Sequence, residues 1–284
     1  MRLLLIIVLL LGIGYALMVF GVPGVSAYAV SSPAPSFTTD GTRTPQVSAL
    51  AWGIFDTKTE ELLFGTDVDG VHPIASVTKL MTAVVSLDML APEATTTLSR
   101  RAVATEGRLG GLKAGEVLSV RELLFPLLLE SSNDAAEALA EYGGHDAFVA
   151  QMNATAQKLG MTKTAYADPS GLSPHNVSSV GDLAKMVKYL ADTNPHMLDI
   201  SKLEYYVGEE HIWHNVDKVA ALETFRGGKH GYTDEADRTL AALFEESLQD
   251  GGTRTVTLVL LGSNDLQVDV ETLRTFLNGH VAYR

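Results

Sequence analysis

Strand-like segments lie at the two ends of this 284-residue chain, and helical segments lie between them. Residues 47–56 and 59–65 are apolar runs separated by a short polar turn, which indicates a β-hairpin. Residues 238–246 and 253–262 flank Gln249-Asp250-Gly251-Gly252, a second hairpin signal. We therefore predict an α/β fold of the α+β type, with one antiparallel sheet built from both chain ends and a helical region inserted.

The N-terminal residues differ in character from the rest of the chain. Residues 3–20 carry no charge and follow Arg2, and Ala27-Tyr28-Ala29 offers a small-x-small cleavage site. We predict that residues 1–29 are a signal peptide or an N-terminal membrane anchor, with both alternatives open. Residues 30–46 are rich in serine, threonine and proline and are predicted to be an extended tether. Residues 47–284 are predicted to form the catalytic domain.

Charge and composition exclude several classes of function. The net charge of -13 should repel nucleic acid and anionic membrane surfaces, so we expect no nucleic-acid partner and membrane contact only through residues 3–20. The chain contains no cysteine, which excludes a thiol nucleophile, a disulfide framework and a cysteine-ligated metal. We expect no cofactor, and a monomer.

Ser76 and Lys79 form a candidate nucleophile–base pair. A helix is predicted from about residue 76 to residue 90, and residues three apart on a helix share a face. A desolvated lysine can lose its proton and act as a base toward a neighbouring hydroxyl. Ser76 is the only serine in the chain with a lysine three residues later. A serine at a helix start is also a common N-cap, so the pair alone leaves both interpretations open.

Three short motifs follow one another in the order found in penicillin-binding proteins and serine β-lactamases: Ser76-x-x-Lys79, Ser131-x-Asn133 and Lys229-x-Gly231. The longer matches 127–136, 159–161, 168–172 and 228–234 extend the likeness over about residues 47–280. On these residues the chain resembles a D-alanyl-D-alanine carboxypeptidase of the low-molecular-mass penicillin-binding proteins. The resemblance implies a β-lactamase/transpeptidase-like fold and an exported enzyme at the outer face of the cytoplasmic membrane, in the cell wall or in the periplasm.

The resemblance implies a role for each catalytic residue. Ser76 would attack the carbonyl between two terminal D-alanines of a peptidoglycan stem peptide and form an acyl-enzyme. Lys79 would accept the proton of Ser76, Ser131 would relay a proton to the leaving amine, and Asn133 would hold Lys79 and the substrate. β-Lactams would be trapped at the same serine as inhibitors.

The third motif is implied to bind substrate, through Lys229, His230, Gly231, Tyr232 and Thr233. Lys229 would attract the terminal carboxylate, and the backbone N–H groups of Ser76 and Tyr232 would form the oxyanion hole. The family usually has threonine or serine where this chain has His230. It also commonly has an arginine shortly before the last helix, and residues 263–270 contain none.

Four other functions remain as alternatives at this point. A transpeptidase would share the acyl-enzyme and differ in its acceptor. A non-catalytic wall-binding module would keep the fold and have lost turnover through His230. A class A β-lactamase requires a glutamate on a loop after Ser131, and residues 165–172 lack the expected pattern. A zinc site at His211 and His214 is disfavoured because strand residues three apart face opposite sides.

Overall fold

The computed structural model describes residues 37–39, 41–107, 110–248 and 251–283. The strands in these residues are β1 (Phe37–Thr39), β2 (Ala51–Asp56), β3 (Leu62–Thr66), β4 (His72–Pro73), β5 (Thr95–Thr97), β6 (Val117–Ser119), β7 (Val177–Ser178), β8 (Tyr205–Val207), β9 (Ile212–His214), β10 (Phe225–Thr233), β11 (Asp237–Ser247), β12 (Thr253–Ser263) and β13 (Val281–Tyr283). The helices are α1 (Thr78–Met89), α2 (Arg100–Val103), α3 (Val120–Phe125), α4 (Asn133–Gly143), α5 (His145–Lys158), α6 (Val180–Thr193), α7 (Pro195–Lys202) and α8 (Leu266–His280).

The main sheet has five antiparallel strands in the order β10-β11-β12-β2-β3. Strand β2 pairs with β12, and Ile54 lies opposite Leu258. The two predicted hairpins are therefore neighbours in one sheet, because the last long strand of the chain pairs with the first. The predicted sheet from both chain ends is confirmed.

Both faces of the sheet are covered by helices. Along β11, Leu240, Ala242 and Phe244 pack into a core cluster with α8, whereas Ala241 and Leu243 pack into the cluster formed with the helical region. Successive strand residues point to opposite faces, so a strand buried on both sides is a continuous apolar run. This burial explains why residues 238–246 lack the polar–apolar alternation of a solvated sheet.

The predicted helical region lies between β3 and β8 and contains α1 to α7, together with the short strand pairs β4–β7 and β5–β6. The apolar helical spacing of residues 121–130 predicts a helix that Pro126 should bend, and the structure has a π-helical turn there, Pro126–Glu130, that directly continues α3. Proline has no N–H and cannot continue an α-helical hydrogen-bond ladder, so the wider turn forms where the ladder is broken. Ser131 then adopts a left-handed conformation, with φ 61° and ψ 36°.

The composition of residues 203–219 predicts paired strands, and the structure agrees with that prediction only in part. Strands β8 and β9 pair with each other outside the main sheet, but Lys218–Ala221 is a 3-10 helix. The Asp217 side chain accepts a hydrogen bond from the backbone N–H of Val219 and so caps this helix. An aspartate cap satisfies an otherwise unpaired helical N–H, which outweighs the strand propensity of the valines beside it.

The structure adds one strand to the segment predicted as a tether. Phe37–Thr39 pair in antiparallel register with Val281–Tyr283 near the end of the chain. The predicted leader, residues 1–29, lies outside the described residues, and the division into leader, tether and domain stays a prediction. Within the described part of the chain, no helix has the length and apolar character needed to span a membrane.

Arg274 and Glu246 offer a test of the packing between α8 and β11. Glu246 is buried, and its carboxylate binds the Arg274 guanidinium and Asn278 Nδ2. Arg274→Met should lower the free energy of unfolding by about 3 kcal/mol, because it leaves a buried carboxylate without its cation. Urea unfolding followed by circular dichroism measures this loss.

The neighbouring ion pair provides the matched control. Arg226 on β10 binds Glu245, which lies next to Glu246 on β11. Both side chains of this pair are more than one third exposed. Arg226→Met should therefore cost less than about 1 kcal/mol. Equal losses for the two variants would contradict the assignment of Glu246 as a buried charge that depends on Arg274.

Candidate active site

The Ser76–Lys79 pair lies at the junction of a 3-10 turn and α1. Ala75–Val77 forms the turn, and Thr78 begins the helix. Lys79 Nζ lies 3.0 Å from Ser76 Oγ, which is hydrogen-bond distance. Ala75, directly before the serine, has φ 47°, a value that non-glycine residues rarely adopt. The pair is thus held at a strained turn and does not act as an ordinary N-cap.

The Lys79 ammonium is buried among charged groups of both signs. Burial is the largest cause that lowers the pKa of Lys79 well below its ordinary range, and the positive charge of Lys229 lowers it further. The carboxylates of Asp168, Asp134 and Glu137 act in the opposite direction. The lowered pKa favours the neutral amine, which is the form that can accept a proton from a hydroxyl.

Lys79 is oriented by acceptors from two other segments. Its Nζ donates to Asn133 Oδ1 at 2.7 Å and to the Ser170 carbonyl at 2.5 Å. Asn133 opens α4, and its Nδ2 donates to the Glu106 carbonyl at 2.8 Å, so the amide is fixed on both sides. Ser131 lies at the end of the π-helical turn, and Ser132 caps α4.

The loop 168–172 supports this arrangement, and the sequence analysis gave it no role. The Asp168 carboxylate accepts hydrogen bonds from the backbone N–H groups of Ser170, Gly171 and Ser173, at 2.6–2.7 Å. A Cβ on Gly171 would lie 2.0 Å from the Ala75 carbonyl oxygen, so the loop packs directly on the turn that carries Ser76. Both Asp168 oxygens serve the loop, which argues against Asp168 as an activator of water.

The edge strand β10 forms the opposite wall. A Cβ on Gly231 would lie 2.6 Å from the Ser76 nitrogen, so only glycine permits this approach. Thr239 Oγ1 on the adjacent strand donates to the Ile74 carbonyl at 3.0 Å and ties the sheet to the turn. The backbone of the third motif therefore lies beside the backbone N–H of Ser76, as an oxyanion hole requires.

The side chains of the third motif have different environments. Lys229 is buried, and its Nζ donates to the His230 carbonyl at 2.9 Å. His230 Nδ1 lies 3.1 Å from Asp217 Oδ2, a contact that sequence reasoning missed. The Tyr232 side chain is exposed, and its hydroxyl donates to Asp234 at 3.0 Å.

These residues share one cleft, a cavity of about 370 Å³. It contains seven of the nine predicted site residues, and the buried Lys79 and Lys229 lie behind it. A second cavity, of about 480 Å³, adjoins it across His230, Gly231 and Tyr232 and extends to Arg238. A third cavity is larger, at about 590 Å³, but none of the predicted site residues lines it. Its lining includes Glu116, Glu122, Glu209 and Glu210.

The two histidines of the zinc alternative have separate partners. His211 pairs with Glu116, and the His214 ring lies 6.0 Å from the Tyr205 ring. Among residues 37–39, 41–107, 110–248 and 251–283, no group of three histidine, cysteine or carboxylate side chains is arranged to hold a metal ion.

Comparison with known proteins gives the family. The D-alanyl-D-alanine carboxypeptidase family model matches residues 38–264. D-alanyl-D-alanine carboxypeptidase DacB2 of Mycobacterium tuberculosis is 34% identical over 227 residues, which are 77% of this chain and 76% of that protein. A D-alanyl-D-alanine endopeptidase of Pseudomonas aeruginosa is 41% identical over 138 residues, 47% of this chain, and the match spans 44%, less than half, of that protein.

A solved structure gives the same result for the fold. Penicillin-binding protein D2 from Listeria monocytogenes, in its cefotaxime-bound form, superimposes with a TM-score of 0.72 and 28% identity over 82% of this chain and 98% of that one. The predicted β-lactamase/transpeptidase-like fold and the predicted family are confirmed. The chain therefore belongs to the D-alanyl-D-alanine carboxypeptidase family, and the cleft between α1, the 168–172 loop and β10 is its candidate active site.

Proposed function

We propose that this chain is a serine-type carboxypeptidase that removes the terminal D-alanine from peptidoglycan stem peptides through an acyl-enzyme on Ser76. The single observation that carries the proposal is the buried Lys79 ammonium 3.0 Å from Ser76 Oγ. Family membership gives the reaction class, and Ser76 lines a cleft of about 370 Å³.

In the first step Ser76 Oγ attacks the carbonyl carbon of the penultimate D-alanine, and its proton passes to neutral Lys79. The tetrahedral intermediate carries a negative oxygen, which the backbone N–H groups of Ser76 and Tyr232 stabilise by hydrogen bonds. The base is positioned before substrate binds because Asn133 and the Ser170 carbonyl already hold its amino group.

In the second step the C–N bond breaks and the terminal D-alanine leaves as an amine. That nitrogen takes up the proton held by Lys79, relayed by the Ser131 hydroxyl. Water then attacks the ester, Lys79 again accepts a proton, and the shortened peptide leaves with a new carboxylate while Ser76 regains its proton.

β-Lactams acylate the enzyme but are not hydrolysed. Ser76 attacks the carbonyl of the ring amide and the C–N bond breaks, but the nitrogen stays attached to the acyl group, so water is kept from the ester. The cefotaxime-bound relative supports binding of this class of inhibitor at the same fold.

The proposal also gives the place of action. Peptidoglycan lies outside the cytoplasmic membrane, so the domain would work in the cell wall or periplasm. The predicted leader or anchor in residues 1–29 provides export, any membrane contact through residues 3–20 stays a prediction, and we expect the chain to act as a monomer.

A second candidate is hydrolysis within a cross-linked peptide. The Pseudomonas aeruginosa relative is called an endopeptidase, and the 480 Å³ cavity beyond His230 leaves room for a leaving group larger than one D-alanine. The acyl-enzyme is the same in both reactions, and only the leaving amine differs.

The test uses intact-mass analysis after incubation with benzylpenicillin, followed by assays of D-alanine release from a stem pentapeptide and of cleavage of a cross-linked dimer. We expect one β-lactam adduct per chain, D-alanine release from the pentapeptide, and neither result in a Ser76→Ala variant. Cleavage of the dimer alone would favour the endopeptidase. An unmodified protein at millimolar drug would overturn the proposal and favour a non-catalytic wall-binding module.

A further inference from the structure

We propose that Asp217 is a positioning residue that holds His230 as a cation at the cleft, where the imidazolium binds the terminal carboxylate of the substrate. The inference rests on the proposed function and deepens it. It assigns to a charge pair the role that a hydroxyl at this position has elsewhere in the family.

The two carboxylate oxygens of Asp217 have different partners. Oδ1 accepts the Val219 N–H at 2.9 Å and caps the 3-10 helix, whereas Oδ2 lies 3.1 Å from His230 Nδ1. The Asp217 N–H donates to Asn215 Oδ1 at 3.0 Å, so the backbone that carries the carboxylate is also fixed. Capping alone requires only one of the two oxygens.

Burial makes this pair stronger than one on the surface. The Asp217 side chain is 7% exposed and that of His230 is 21% exposed. Burial by itself raises the pKa of Asp217, but the His230 ring beside it, together with the charge of Lys229, brings that pKa below its ordinary value. The coupling between the two residues is mutual. Because the contact makes ionised Asp217 more stable when His230 is a cation, it also makes the His230 cation more stable when Asp217 is ionised.

Other charged groups lie in the segments around His230. Asp217, Lys218, Arg238 and Asp265 line the adjoining cavity together with His230, and Lys229 donates to the His230 carbonyl. Three of these five are cations, so an unpaired imidazole at this position would tend to be neutral. Asp217 is the carboxylate that contacts His230, and it therefore compensates for the neighbouring positive charges.

The position of His230 fits a carboxylate ligand. His230 lines both the cleft that contains Ser76 and the adjoining cavity, so this residue lies where the two meet. With Nδ1 facing Asp217, the proposal assigns Nε2–H to the substrate carboxylate. A charge-assisted hydrogen bond of this kind is stronger than one from a neutral hydroxyl, but it is lost when the imidazole is deprotonated.

The test is Asp217→Asn, assayed on a tripeptide ending in D-alanyl-D-alanine and on its C-terminal amide, across pH. Asparagine keeps an acceptor for Val219 and removes the charge. We expect the alkaline limb of kcat/KM for the free acid to move down by about one pH unit or more, and kcat/KM above that limb to fall about tenfold, mainly through KM. The amide, which carries no carboxylate, should be almost unaffected.

Three further variants separate charge from structure. Asp265→Asn changes another carboxylate beside the same cavity, one that caps α8 through the Val268 N–H, and should leave the alkaline limb in place. His230→Thr should remove that limb altogether, because a hydroxyl does not titrate in this pH range. When Asp217→Asn is added to His230→Thr, kcat/KM for the free acid should fall no further relative to kcat/KM for the amide.

The outcomes separate this inference from the proposed function. If Asp217→Asn lowers kcat/KM equally for the free acid and the amide and does not shift the pH profile, Asp217 is only a structural cap and the inference is overturned. Peptide hydrolysis by the unsubstituted chain would still support the proposed function in that case. If the unsubstituted chain neither hydrolyses the peptides nor is acylated by benzylpenicillin, the proposed function is overturned and the inference falls with it.

Discussion

Replacing Lys79 with methionine should lower the rate of acylation of Ser76 by benzylpenicillin about 10³- to 10⁴-fold. Methionine has a similar length and suits a buried site, but it has no group that accepts a proton. The amine otherwise lies 3.0 Å from the serine hydroxyl, and without it the hydroxyl must lose its proton to water. Rapid mixing with the drug, quenching at set times and intact-mass analysis of the protein give the acylation rate.

The pH dependence of the unsubstituted protein follows from the lowered pKa of Lys79. The neutral amine is present above that pKa, so acylation should be retained well below the ordinary titration range of lysine. As pH falls through the lowered pKa, the amine becomes protonated and the rate should fall. This acid limb should be absent from the residual rate of Lys79→Met, because the titrating group is gone.

Lys185→Met is the matched control for this prediction. Lys185 also donates to a backbone carbonyl, that of Gly160, but its side chain is 42% exposed and lies outside the cleft. We expect unchanged acylation in this variant. A Lys79→Met protein that is folded and reacts at nearly the rate of the unsubstituted chain would rule out Lys79 as the base.

The motif residues could be predicted from sequence because each depends on local structure. Ser76 and Lys79 are brought together by a helical turn, and Lys229 and Gly231 by the geometry of one strand. The sheet could also be predicted, since the apolar runs at both chain ends leave few ways to bury two faces. The three motifs, with the family resemblance that they carry, were therefore enough to find seven residues that line one cleft.

The supporting residues could not be predicted because they act through contacts distant in sequence. Asp217 lies 13 positions before His230, in a segment with strand-like composition, and only the cap it forms turns its carboxylate toward the imidazole. Ser170 acts through its backbone carbonyl, which no residue type encodes. The β1–β13 pairing joins segments more than 240 positions apart, and three-residue strands have no readable period.

Gly171→Ala should be the most damaging small substitution in the loop that faces Ser76. Gly171 has φ +85°, and an added Cβ would meet the Ala75 carbonyl oxygen at 2.0 Å, a distance that requires the backbone to move. We expect the free energy of unfolding to fall by about 3 kcal/mol and acylation by benzylpenicillin to slow about 100-fold. The rate should fall because a displaced loop withdraws the Ser170 carbonyl from Lys79.

Gly160→Ala separates the contact from the backbone conformation. Gly160 has φ +69°, close to that of Gly171, but an added Cβ there meets no atom within 4 Å. This variant should lose only about 1 kcal/mol from the left-handed conformation and should be acylated at the normal rate. The contradicting result is an equal effect of the two substitutions on stability and on acylation rate. Backbone strain alone would then explain both losses, and the close approach of the loop to Ala75 would not position the catalytic lysine.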